Sequence, residues 1–236
     1  MRRDPSGADR PPSVGALVWL LSLAAGSIDA LCLLHLGGVF ASVITGNLVV
    51  LAAAAVTGQV DQLTRCLAAV GSYALGVFMG SRLTAGHRVV SRPAGKPRPK
   101  AALYCLAVET TLLVGLCGGW LATQGRPLGA SQPVLVTVAG AAMGLHSVAV
   151  GALGHRGLST TYLTGALTRL VSDAGEQGWW RRLDRVQSVA LLGMVLGAGI
   201  ETAFLHRLSW IGPLPAALLT AGAALVSVSV RIGSSS

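Results

Sequence analysis

Apolar residues run through this chain in six stretches long enough to cross a lipid bilayer, which takes about 20 residues of helix. They cover 14–36, 63–84, 101–122, 134–153, 186–205 and 210–230. Inside hydrocarbon no water meets the backbone, so each N–H and C=O must be satisfied within the protein, and a helix does this for a single segment. Only 11% of the 236 residues are charged, whereas a soluble domain carries about 25%. The 31 glycines suit helices whose backbones approach closely in a membrane. The expected fold is an all-α integral membrane protein of about six transmembrane helices.

Two shorter segments repeat one theme. Residues 37–48 read GGVFASVITGNL and residues 157–167 read GLSTTYLTGAL. Each follows a long apolar run and carries small and hydroxylated residues before Thr-Gly. Aligning Thr45-Gly46 with Thr164-Gly165 gives a spacing of 119 residues, about half the chain, as in membrane proteins built from two structural repeats.

Charge decides how many segments cross. The loop 86–100 carries Arg88, Arg92, Lys96, Arg98 and Lys100 and no acid. The N-terminal tail adds Arg2, Arg3 and Arg10, and the stretch after the second Thr-Gly adds Arg181, Arg182 and Arg185. Basic loops stay cytoplasmic. All three fall on one side only if neither Thr-Gly segment crosses. The expectation is therefore six spans with both termini cytoplasmic, forming two inverted three-span repeats, each with a short broken or re-entrant Thr-Gly segment. The divisions are a tail at 1–13, a first repeat at 14–122 containing the basic loop 86–100, a second repeat at 123–232, and a tail at 233–236. Arg2 and Arg3 before an apolar run resemble a signal peptide. The run continues past Asp29, however, and the repeat needs it, so a retained span is expected.

Candidate functional residues lie where polar groups interrupt apolar sequence. In the first Thr-Gly segment these are Ser42, Thr45, Gly46 and Asn47. Ser42 and Thr45 would share a face on a helix, and Gly46 would supply a break or a close approach. In the second they are Thr160, Thr161, Thr164 and Gly165, with Thr161, Thr164 and Thr168 on one stripe. The competing role for such residues is helix packing. Three acids lie in apolar runs: Asp29, Glu109 and Glu201. Each costs about 2.5–3.5 kcal/mol at a helix centre on insertion scales. Asp29 is the first candidate for a proton or cation site, then Glu109. Glu201 reads as an interfacial acid near His206 or Arg207. His146 falls where the second half would face Asp29.

Other chemistry finds little support. The net charge of +9 sits in tails and loops, with no nucleic-acid motif. Cys32, Cys66, Cys105 and Cys117 form no CxxC pair and read as small buried groups. The histidines show no metal-ligand spacing. His146-Ser147 lacks the context of a nucleophile, with neither a GxSxG elbow nor an HExxH motif. No cofactor, metal or catalytic residue is expected.

The stretch GSIDALCLLHLGGVFASVITGNLV from Gly26 and GLSTTYLTGALTRL from Gly157 resemble the YoaK-like family of bacterial membrane proteins, domain of unknown function 1275. The family pattern places Gly-x-x-Asp on the first span, then TGN, and later TTY-x-TG. Asp29, Thr45, Gly46 and Asn47 match the first part, and Thr160, Thr161, Tyr162, Thr164 and Gly165 the second. Relatives often carry Gln-Asn at His146-Ser147 and Asn at Ala166. The resemblance implies a multi-pass protein of the bacterial inner membrane and implies no substrate.

The function expected is transport or conduction of a small solute or ion between the two repeats. The first alternative is a structural or accessory membrane protein, and the second an intramembrane enzyme. Expected partners are the lipid bilayer, the solute or ion, and a second copy of the chain in a homodimer.

Overall fold

The computed structural model describes residues 12–85, 99–153, 165, 167–168, 171–172 and 185–233. Among them every regular element is helical. The helices are α1 (Pro12–His35), α2 (Ile44–Thr57), α3 (Val60–Ala85), α4 (Pro99–Ala122), α5 (Ser131–Ala152), α6 (Arg185–Arg207) and α7 (Leu214–Gly233), with a 3₁₀ turn at Ser209–Ile211.

Five of these helices are long and apolar enough to span a membrane: α1, α3, α4, α5 and α6. The sixth expected span begins later than its apolar pattern suggests. Trp210 lies in the 3₁₀ turn, and Gly212-Pro213 separates that turn from α7. The apolar run that remains in α7, Leu214–Val228, is a shorter one. Proline lacks the N–H a helix interior needs and is tolerated in a first turn. Pro213 and Pro215 therefore set where α7 starts.

Packing links the two ends of the chain. α1 packs along α6 and α7, and α5 packs along α3 and α4. α4 meets α7 between these two groups, and α1 touches α5. Each first helix thus lies with the last two helices of the other half. α1 and α6 run parallel, since Ser22 meets Gly193 and the Ser27 hydroxyl donates to the Gly197 carbonyl at 3.0 Å. α3 and α5 also run parallel, joined by Arg65–Gln132 (2.9 Å) near one end and by Tyr73–Ser147 (2.7 Å) further along.

Both parallel pairs use the same contact. A Cβ on Gly26 would overlap the Met194 carbonyl, and one on Gly197 would overlap that of Leu23. Likewise Gly76 meets the Ala141 carbonyl and Gly144 meets that of Tyr73. With no aqueous driving force between helices in lipid, such close approach is what holds them together.

The N-terminal end of α3 returns to the end of the bundle that α1 has just reached. The His35 and Trp120 rings stack edge to face at 5.8 Å, and Trp120 Nε1 donates to Ser209 O at 2.7 Å. At the same end the Gln62 side chain donates to Gly38 O at 3.4 Å. Segment 36–59, which contains α2, therefore leaves and rejoins the bundle at one end. Two features make the reversal. Gly37 and Gly38 adopt φ of +89° and +76° after α1, and Gly58 at +69° caps α2 two residues before α3 begins. These left-handed angles suit glycine.

Gly197→Val should lower the thermal unfolding midpoint in detergent by several degrees. The added atoms meet backbone, and overpacking costs about 1–3 kcal/mol or more. Gly71→Ala has nothing within 4 Å to strike and should leave the midpoint unchanged. Equal effects would show that the carbonyl contact does not hold α6 to α1.

Candidate functional site

Asp29 sits on α1, one turn below Cys32, and is almost fully buried. Its Oδ1 accepts the backbone N–H groups of Ala41 and Ser42, both at 2.8 Å, and its Oδ2 accepts the Ser42 hydroxyl. Segment 39–43 is irregular and folds back beside α1, where its amides have no helix to join. The carboxylate satisfies two of them and lies at the start of α2, whose exposed N–H groups favour negative charge.

Asn47 completes this turn. Its Oδ1 accepts from Phe40 N at 2.8 Å and its Nδ2 donates to Phe40 O at 2.6 Å. One fully buried side-chain amide therefore satisfies both backbone groups of Phe40. Ser42 and Thr45 do not share a helix face, because α2 begins at Ile44 and Ser42 lies ahead of it. Ser42 is buried and Thr45 is exposed on α2. Gly46 is not the break. It lies within the first turn of α2, where a Cβ would stand 3.4 and 3.5 Å from two Phe40 ring atoms, and the left-handed residues are Gly37 and Gly38.

A second cluster joins three helices. Glu109 of α4 and His146 of α5 share a hydrogen bond between Oε1 and Nδ1 at 2.8 Å. The Thr220 hydroxyl of α7 donates to the same Oε1 at 3.3 Å. Glu109 and Thr220 are fully buried, and His146 nearly so. Glu109 Oε2 has no partner among the described residues. Asp29 and His146 also lie within electrostatic reach of one another. Ser147, next in sequence, faces away, and its hydroxyl partners the Tyr73 hydroxyl.

Glu201 differs from its expected place. It is fully buried on α6, and neither carboxyl oxygen has a partner among the described residues. It is not an interfacial acid paired with His206 or Arg207. Cys32 of α1 and Cys117 of α4 lie within its electrostatic reach.

The structure brings together Asp29, Ser42 and Asn47 at one turn and Glu109 with His146 at another. Thr160, Thr161 and Thr164 lie outside the described residues. Gly165 is helical and half-buried. The role of Thr220 escaped sequence reasoning, since a lone Thr in an apolar helix more often bonds its own backbone. Cys32, Cys66 and Cys105 are buried and Cys117 partly so, all as free thiols.

Comparison with known proteins places this arrangement. Residues 17–228 match the model of a family described as "Protein of unknown function (DUF1275)". The chain belongs to the DUF1275 family. It is also similar to the UPF0700 transmembrane protein YoaK of Bacillus subtilis (strain 168), with 28% identity over 211 residues, covering 83% of this chain and 87% of that protein. No solved structure matches. The family match, the relative's description and the five apolar helices together make this a multi-pass membrane protein.

Asn47→Ala leaves the part-buried N–H and C=O of Phe40 without their side-chain partner. Each orphaned group costs about 1–3 kcal/mol, so the variant should unfold several degrees below the parent in detergent. Thr45→Ala removes an exposed hydroxyl and should change the midpoint by less than half as much. A thermal melt of both variants checks this, and equal shifts would deny Asn47 its clamping role.

Proposed function

We propose that the chain transports or conducts a small solute or ion along a path between its two halves. One observation carries the proposal. Three acids, Asp29, Glu109 and Glu201, are buried in the helical interior, and one of them, Glu109, bonds a buried imidazole. Ionisable groups inside membrane helices are costly, and they commonly face bundle interiors or mark ion and proton pathways.

The helix arrangement supports two inverted repeats. Contacts of α1 with α6 and α7 are matched by contacts of α5 with α3 and α4. Small residues pair in the same way, with Ser22 and Gly26 on α1 answering Gly140 and Gly144 on α5, and Gly76 and Gly80 on α3 answering Gly193 and Gly197 on α6. Three crossings per half would turn the second half over in the membrane. Segment 36–59, which returns to the end it left, supports the re-entrant reading of the first Thr-Gly. Irregular backbone at membrane depth is tolerated where protein buries it or water reaches it, and transporters place such breaks at their binding sites. The basic loops favour a cytoplasmic place for both termini, and the likeness to a transmembrane protein of a bacterium supports a bacterial inner-membrane location. We assign no catalysis, since Ser147 bonds a tyrosine and His146 a carboxylate.

The three hydrogen bonds that Asp29 accepts favour the second reading, a structural or accessory protein in which the acids only hold the fold. Cys32 separates the two. It is fully buried and within electrostatic reach of both Asp29 and Glu201. In a liposome-reconstituted variant keeping Cys32 alone, a small membrane-impermeant thiol reagent should label it as the path opens. Ala130→Cys, on an exposed loop, serves as the accessible control. Labelling at Ala130→Cys with Cys32 inert would favour the accessory reading.

A further inference from the structure

We propose that Glu201 is the group through which this protein exchanges a proton with water. The inference deepens the transport reading and rests on it for its place in a pathway. The three buried acids differ in what they hold. Asp29 receives two amides and a hydroxyl, and Glu109 receives Thr220 and shares a hydrogen bond with His146. Removing either carboxyl would orphan groups elsewhere in the fold. Glu201 holds nothing, and both of its oxygens are unpartnered among the described residues.

A carboxyl with no donor in a water-poor interior is tolerable as a neutral acid, because an isolated buried charge costs far more than its neutral form. Stability alone gives no reason to keep an acid there, since an apolar side chain of similar volume would fill the space without burying two unpaired oxygens. Its surroundings are permissive for a proton and poor for a metal. The titratable groups that face it are the thiols of Cys32 from α1 and Cys117 from α4. α7 brings no ionisable side chain before Arg231, and α6 itself carries His206 and Arg207 at its end, neither bonded to Glu201. No group of three metal-ligating side chains forms among the described residues.

Proton release is simple in its balance. The Glu201 O–H bond breaks, the electron pair stays on the carboxylate, and the proton passes to a water molecule. The anion left behind has no donor in this arrangement, so α6 must shift on α1 or water must enter. The Gly26 and Gly197 contacts that hold α6 to α1 would have to give for such a shift. Loading and loss of one proton are thereby tied to the separation of the two halves.

Infrared spectroscopy of the full-length protein in lipid tests this without any transport assay. A protonated carboxylic acid gives a carbonyl stretch well separated from carboxylate and amide bands. The band should be present at neutral pH, absent in Glu201→Gln and retained in Asp29→Asn. On transfer to D₂O it should move to lower frequency as O–H becomes O–D. If Glu201→Gln fails to assemble, Glu201→Asp assigns the band by displacing it. A band that is missing, or that stays fixed in D₂O over hours, overturns the proposal. A fixed Glu201 band with a labelled Cys32 removes the proton site and leaves the pathway. An exchanging band with an inert Cys32 keeps the proton site and removes the pathway.

Discussion

Backbone that leaves a helix inside a water-poor interior needs new partners for its amides, and here one carboxylate provides them. Asp29 receives the N–H groups of Ala41 and Ser42, which lets segment 36–43 turn back beside α1 instead of running on through the bundle. Asn47 secures the same turn from the other side through Phe40. The direction of α2 and the return of α3 to the end of the bundle that α1 reaches both follow from this satisfied turn. The Gly-x-x-Asp and TGN elements are thus two parts of one local structure, joined across 18 residues of chain.

Much of this was legible in the sequence. Apolar length and scarce charge indicated helical spans, and positions such as Asp29, Glu109 and His146 stood out because they violate the apolar pattern. The partners were not legible. An acid that caps a loop, one that binds histidine and one that binds nothing look alike in a single chain, because the difference lies in contacts with distant residues. Glu201 was misplaced for that reason: its nearness in sequence to His206 and Arg207 suggested an ion pair, whereas its helix face turns toward Cys32. Gly46 was misjudged because Thr-Gly-Asn has the composition of a turn, yet Gly37 and Gly38 had already made it. The i, i+4 spacings of Gly76 with Gly80, Gly140 with Gly144 and Gly193 with Gly197 were readable, and they mark the two parallel interfaces.

The acids divide the interior into parts with different duties. The Asp29 turn is held by three hydrogen bonds to the carboxyl group and suits a fixed element. The Glu109–His146–Thr220 group joins α4, α5 and α7 and keeps one free oxygen among the described residues. Glu201 stands one turn beyond Gly197 on α6, with neither carboxyl oxygen partnered among the described residues.

The exchange of first helices between halves has a bearing on how the chain is made. α1 leaves the ribosome well before α6 and α7, the helices it packs on. Until then the close-packing face at Gly26 and the Ser27 hydroxyl must wait in lipid or against temporary neighbours. The trio of α3, α4 and α5 can assemble before synthesis ends, since α5 follows its partners directly. The order of assembly is therefore uneven: the group of α3, α4 and α5 can close early, whereas the packing of α1 is complete only once α6 and α7 have been made.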